Sequence, residues 1–190
     1  MHIFNSRLGL SVLFISGIMS LTSCATLSPA ECQTADWYRI GEQDGSEGYP
    51  SRLAQHFKAC QKINIEPNQG LYVKGYNEGV RYYCQPQVIL NAALVGKGNA
   101  NVCPAQSRAT LDDIRRVGHA VYEAERTQEN LERRRIELVR LLEDKKMSLQ
   151  DRLKRSEELN EVYKALRDHE VELGGVHQQL IDLKHQYRLK

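Results

Sequence analysis

The chain has 190 residues, a formal net charge of +2 and 26% charged residues. Residues 24–107 set seven basic against seven acidic side chains, and residues 108–190 set eighteen against seventeen. Neither half has the one-sign field that a nucleic acid or a polybasic membrane surface demands, so no nucleic-acid partner is expected. The length allows one small globular domain and an extension.

At the start, Arg7 precedes an apolar run from Leu8 to Met19 that ends in Leu21-Thr22-Ser23-Cys24. A positive charge, an apolar stretch and then small residues is the order of a secretory signal, and the stretch is shorter than the roughly 20 residues that cross a bilayer. The tetrad resembles the bacterial lipobox, whose cysteine is acylated and becomes the first residue of the mature protein. The resemblance implies a lipoprotein signal peptide at residues 1–23, lipid attachment at Cys24 and a membrane partner reached through its acyl chains. Stable anchoring of that kind takes two or more chains. Ala25 stands where an inner-membrane retention signal would place Asp. By resemblance to sorted lipoproteins, this implies the cell outer membrane, on its periplasmic face.

Setting Cys24 aside leaves Cys32, Cys60, Cys84 and Cys103. In an exported protein these read as two disulfides, and four cysteines allow three connectivities. There is no C-x2-C pair, and His56 near Cys60 is a lone coincidence, so no metal is expected.

Asp36 is placed to cap a helix over 37–44, Gly45 to Pro50 is a turn, and Ser51 is placed to cap a second helix reaching Lys62. Asn68 begins a third that ends near Cys84, before Pro86. Val88 to Val95 reads as a strand or buried turn and Gly96 to Asn99 as a loop. If the first two helices form an antiparallel hairpin, Cys32 lies near Cys60, and Cys84 is left to pair with Cys103.

A short repeat crosses this region. Trp37-Tyr38-x-x-Gly41-x-x-Asp44-Gly45 returns as Leu71-Tyr72-x-x-Gly75-x-x-Glu78-Gly79. Glycine inside a helix costs about 1 kcal/mol against alanine, so paired glycines point to helices whose backbones come close. The functional alternative is a groove floored by glycine and walled by Trp37, Tyr38, Tyr72 and Tyr76.

Past Pro104 there is no proline and no cysteine. Ile114, Val121 and Leu142 share one heptad position, completed by Gln128 and Arg135; Val117, Ala124, Leu131 and Leu138 share its partner. Farther on, Leu159, Leu166, Leu173, Leu180 and Tyr187 alternate with Val162, His169, Val176 and Leu183. Both are coiled-coil seams, but they do not share a register. Ser148-Leu149-Gln150-Asp151 has the form of a helix N-cap. The pattern predicts a break at 146–148 and an antiparallel hairpin with arms of roughly 54 to 60 Å. Gly174-Gly175 weakens the second arm.

No nucleophile-and-base signature, metalloprotease motif, phosphate loop or dinucleotide fingerprint is present, so no catalysis and no cofactor are expected. Asp36, Asp44 and Glu47 near His56 read as caps and turn residues.

Taken together, Cys32, Asp36-Trp37-Tyr38-x-x-Gly41-x-x-Asp44-Gly45-x-x-Gly48, His56-x-x-x-Cys60, Tyr72-x-x-Gly75-x-x-x-Gly79-x-x-x-Tyr83-Cys84 and Val102-Cys103-Pro104 resemble one family. It comprises uncharacterised Gram-negative lipoproteins known only as a domain of unknown function. The likeness covers about residues 31 to 105 and implies class and location, with no activity.

The reading is an all-α protein: a signal peptide at 1–23, a disulfide-bonded helical domain at 24–105 and a coiled-coil hairpin at 106–190. Its expected role is structural or in protein interaction, with an envelope protein partner held through the coil. The alternative is a periplasmic binding module for a small envelope ligand, on the aromatic and glycine surface.

Overall fold

A computed structural model describes residues 26–190. Cys24 and the signal segment lie outside the described residues. Seven α-helices account for the fold among the described residues, with two short 3-10 turns.

Helix α1 (Pro29–Gln33) opens on a capping box in which Ser28 and Glu31 bond each other's backbone N–H. Helix α2 (Trp37–Ser46) is capped as expected, the Asp36 carboxylate accepting from Tyr38 N and Arg39 N. Helix α3 (Leu53–Cys60) starts later than the Ser51 cap implied: Arg52 occupies the cap position and makes no side-chain cap bond. Helix α4 (Gln69–Tyr83) begins at the Asn68 cap. Helix α5 (Pro86–Ala93) replaces the strand or buried turn read at 88–95. The same Pro86 that forbids extension of α4 serves as the first residue of α5, where its missing N–H costs nothing and its fixed φ suits a helix.

The domain is organised by α2 and α4, which run side by side and parallel. Gly41 faces Tyr72 and Tyr76, and Gly45 faces Tyr76 and Val80; in return Gly75 faces Tyr38 and Glu42, and Gly79 faces Glu42 and Ser46. The two halves of the repeat are thus related by a local pseudo-two-fold, each glycine receiving the backbone of the other helix. A Cβ on Gly41 would sit 2.9 Å from Tyr76 N, and one on Gly79 would sit 2.6 Å from Ser46 N. Only glycine permits that approach. The antiparallel hairpin of α2 and α3 does not form. Pairing α2 with α4 instead brings both glycine pairs into contact, and α3 serves as the return connection between two parallel helices.

The cysteines pair Cys32–Cys60 and Cys84–Cys103. The first ties α1 to the end of α3. The second closes the segment that holds α5.

Helices α6 (Ala105–Leu142) and α7 (Leu149–Tyr187) form the antiparallel hairpin, with the turn at 143–148 and Ser148 capping α7 through Asp151 N. Its seam carries buried Ile114, Val121, Ala124 and Leu138 from α6 and Val162, His169 and Leu183 from α7. The His169 Nε2–H donates to the Ala124 carbonyl at 2.8 Å, so this polar residue is satisfied across the seam. Gln128 and Arg155 bring side-chain polar atoms into the seam that find no partner among the described residues. The helix continues through Gly174-Gly175 without a break.

Position 105 starts a helix but does not end the domain's packing. Ile89, Leu90, Leu111, Ile114 and Leu183 form one core with Tyr83 and Cys103, so α5 is clamped onto the open end of the hairpin. Fully burying an aliphatic side chain of this size contributes about 2 kcal/mol. Lys190 N also donates to Gln87 Oε1 at 2.7 Å, holding the chain end against α5. A separate core of Cys32, Trp37, Cys60 and Tyr72 lies under α1 and α3. Asn99 links the regions, its N–H donating to Tyr83 Oη at 2.6 Å and its amide to the Gly48 carbonyl at 3.2 Å.

Candidate functional site

Among the described residues of the domain, the return connection builds one buried cluster of titratable side chains. Asp44 on the last turn of α2, His56 on α3 and Tyr72 on the first turn of α4 are respectively 6%, 3% and 0% exposed. The Tyr72 hydroxyl donates to Asp44 Oδ2 at 2.7 Å, and His56 Nε2 meets the same oxygen at 2.9 Å. The Arg52 guanidinium lies 3.7 Å from Asp44 Oδ1, and the Arg52 N–H donates to Tyr72 Oη at 2.9 Å. The Arg52 guanidinium also stacks on the Tyr49 ring, 3.4 Å from its centroid.

Burial of a carboxylate is costly without partners, and here each oxygen has a donor or cation beside it. A carboxylate only accepts, so His56 Nε2 carries a hydrogen. His56 Nδ1 lies 2.9 Å from Thr26 Oγ1. Burial, and next the bond to Asp44, push the Tyr72 phenol up to about 12. It therefore remains a donor at any physiological pH. Tyr76 is raised as well, by burial and then by Asp44, and its hydroxyl donates to the Tyr49 carbonyl at 2.9 Å.

The order Thr26 hydroxyl, His56 imidazole, Asp44 carboxylate is that of an activated nucleophile. His56 is buried, with the rings of Trp37 (centroids 6.5 Å) and Tyr72 (5.8 Å, edge-on) beside it. The hydrogen bonds tie the first described residues to α2, α3 and α4.

The four aromatics proposed as a binding surface are divided by this packing. Trp37 and Tyr72 are in the core, while Tyr38 and Tyr76 are half-buried. The groove expected between them is filled, because each glycine that would floor it is covered by the opposite helix's backbone. An open cleft of about 870 Å³ lies elsewhere, between the α2–α3 loop and α5, with Tyr49, Tyr82, Asn91, Lys97 and Asn99 among its walls. These residues come from three distant stretches and follow no period, so no sequence signal marks them. Asp44 and His56 were visible as neighbours in the chain. Their joint burial with Tyr72 depends on the α2–α4 pairing.

Among the described residues no group of three or more His, Cys, Asp or Glu side chains is arranged to hold a metal ion. No helix among them is long and apolar enough to cross a membrane. Neither the curated proteins nor the solved structures yield a match to the chain. The matched family region starts at the α2 cap and takes in the glycine-paired helices, both loops, α5 and the α6 turns that cover it. Residues 36–120 match the family described as "Protein of unknown function (DUF2799)".

Proposed function

We propose that the protein is an envelope lipoprotein of the outer membrane with a structural or protein-interaction role and no catalysis of its own. In this reading acylated Cys24 holds the chain on the periplasmic face. The disulfide-bonded domain sits at the membrane, and the hairpin carries a contact surface away from it. Arms of 38 and 39 residues extend roughly 57 Å at 1.5 Å per residue.

The observation that carries the reading is the far end of the hairpin. Ile136, Val139, Leu149 and Leu153 are exposed there, Leu149 by 73% and Leu153 by 63%. Each stands one position after a place in the heptad register of the seam, at 135, 138, 148 and 152. In an antiparallel helix pair these positions share one side. Apolar side chains gathered on one side of a charged rod mark a contact surface better than scattered ones do.

Crosslinking in intact cells, with mass spectrometry of the captured protein, tests the reading. Leu149→Asp/Leu153→Asp should lose the partner while the protein keeps its helix content. An unchanged set of crosslinked proteins would rule out the proposed role of the hairpin end.

A further inference from the structure

We propose that the exposed side of residues 51–62, comprising α3 and its flanking turns, lies against anionic phospholipid headgroups in the leaflet that holds Cys24. The proposal rests on the lipoprotein reading and specifies which side of the domain meets the membrane.

The first argument is the length of the tether. Thr26 is fastened to His56 by a bond of 2.9 Å, and His56 is itself fixed by buried Asp44. Leu27 continues the attachment by packing against the core of Cys32, Trp37, Cys60 and Tyr72. Only Ala25 separates Thr26 from Cys24. Two residues reach at most about 7 Å when fully extended. An acyl group on Cys24 therefore brings the lipid surface within about one helix diameter of α3. The Thr26–His56 bond limits how far the bilayer can lie from α3, and the exposed charge of this segment selects the side that meets it.

The second argument is local charge. Residues 51–62 hold no Asp or Glu, although the domain as a whole is balanced; Arg52 is engaged by Asp44 and the Tyr49 ring, which leaves Lys58 and Lys62 as the outward charge. Lys58 and Lys62 are exposed. Phe57, next to Lys58 in the chain, is 39% exposed. The nearby acid of α1, Glu31, is engaged in its own helix cap with Ser28. Cations beside an aromatic ring suit the headgroup layer of an anionic leaflet, where basic side chains are attracted and aromatic rings settle. The overall neutrality that argued against a polybasic surface conceals this acid-free stretch.

The test uses the full acylated protein in phosphatidylethanolamine vesicles that contain phosphatidylglycerol. Photoreactive benzoylphenylalanine replaces Phe57, Tyr82 or Met147 in separate preparations, and mass spectrometry reads both phospholipid adducts and the acyl mass on Cys24. Adducts at 57, with none at 82 or 147, are the expected result. If Cys24 carries its acyl group and 57 gives no adduct, or no more than 82, the membrane-facing assignment is overturned and the lipoprotein reading stands. If Cys24 carries no acyl group, both are overturned.

Discussion

Glycine pairs occur in both regions of the molecule, and their surroundings are opposite. In the domain, Gly41, Gly45, Gly75 and Gly79 are each pressed against the backbone of the partner helix. In the hairpin, a Cβ added at Gly174 or Gly175 meets nothing within 4 Å. The first set is the condition for α2 and α4 to pack at all. The second leaves α7 with unfavourable helix propensity and no packing gain among the described residues. The same contrast runs through the two regions. The domain is crosslinked, with a buried polar cluster and short helices held by tertiary contacts. Away from its base the hairpin relies on one seam interrupted by Gln128, Arg155 and His169.

The sharpest way to break the comparison is to fill the glycine gaps. Gly41→Ala or Gly75→Ala should each destabilise the domain by about 3 kcal/mol, since rigid backbone atoms cannot yield to the added methyl. The double variant should lose its cooperative thermal transition in circular dichroism. Removing a crosslink comes next. Cys32→Ala/Cys60→Ala should cost about 3 kcal/mol in denaturant titration, through a loop spanning 28 positions.

Changes to the polar cluster rank below these. Asp44→Ala strands the Tyr72 hydroxyl and His56 Nε2, for a loss of about 2 kcal/mol, while Tyr72→Phe should cost about 1 kcal/mol. The cluster also has a pH signature. Because folding raises the Tyr72 phenol from 10.0 to about 12, the folded state holds the proton more tightly in that interval. Stability from this group is fully present below pH 10 and declines as pH rises toward 12. Denaturant midpoints measured across that range should show the decline in the native chain and a weaker one in Tyr72→Phe.

The smallest effect has the opposite sign. Gly174→Ala and Gly175→Ala should each stabilise α7 by about 1 kcal/mol, read as slower amide exchange in that helix. Loss of stability there would mean that the glycines answer to a contact beyond this chain.

Several of these features could be read from the residues alone. The Asp36, Asn68 and Ser148 caps mark their helices because the capping bond is local, needing a side-chain oxygen and an N–H two or three residues on. The hairpin was legible for the related reason that a seam repeats along one helix. The α1 capping box at Ser28 and Glu31 was equally local and went unread, being only one turn long. Helix α5 differs from the strand or buried turn expected over 88–95 because a short apolar run suits a strand as well as a buried helix, and a proline can open a helix as well as stop one.

The sequence by itself determined the helical class, the break between α6 and α7, and the two close-approach helices announced by their glycines. These depend on interactions within a turn or along a repeat. Tertiary structure decided that α2 pairs with α4 in parallel, that α5 is clamped on the hairpin base, and that Thr26, Asp44, His56 and Tyr72 meet. The reason is physical. A glycine shows that some backbone can come close without naming which one, and a buried carboxylate acquires its partners only when distant segments exclude water together.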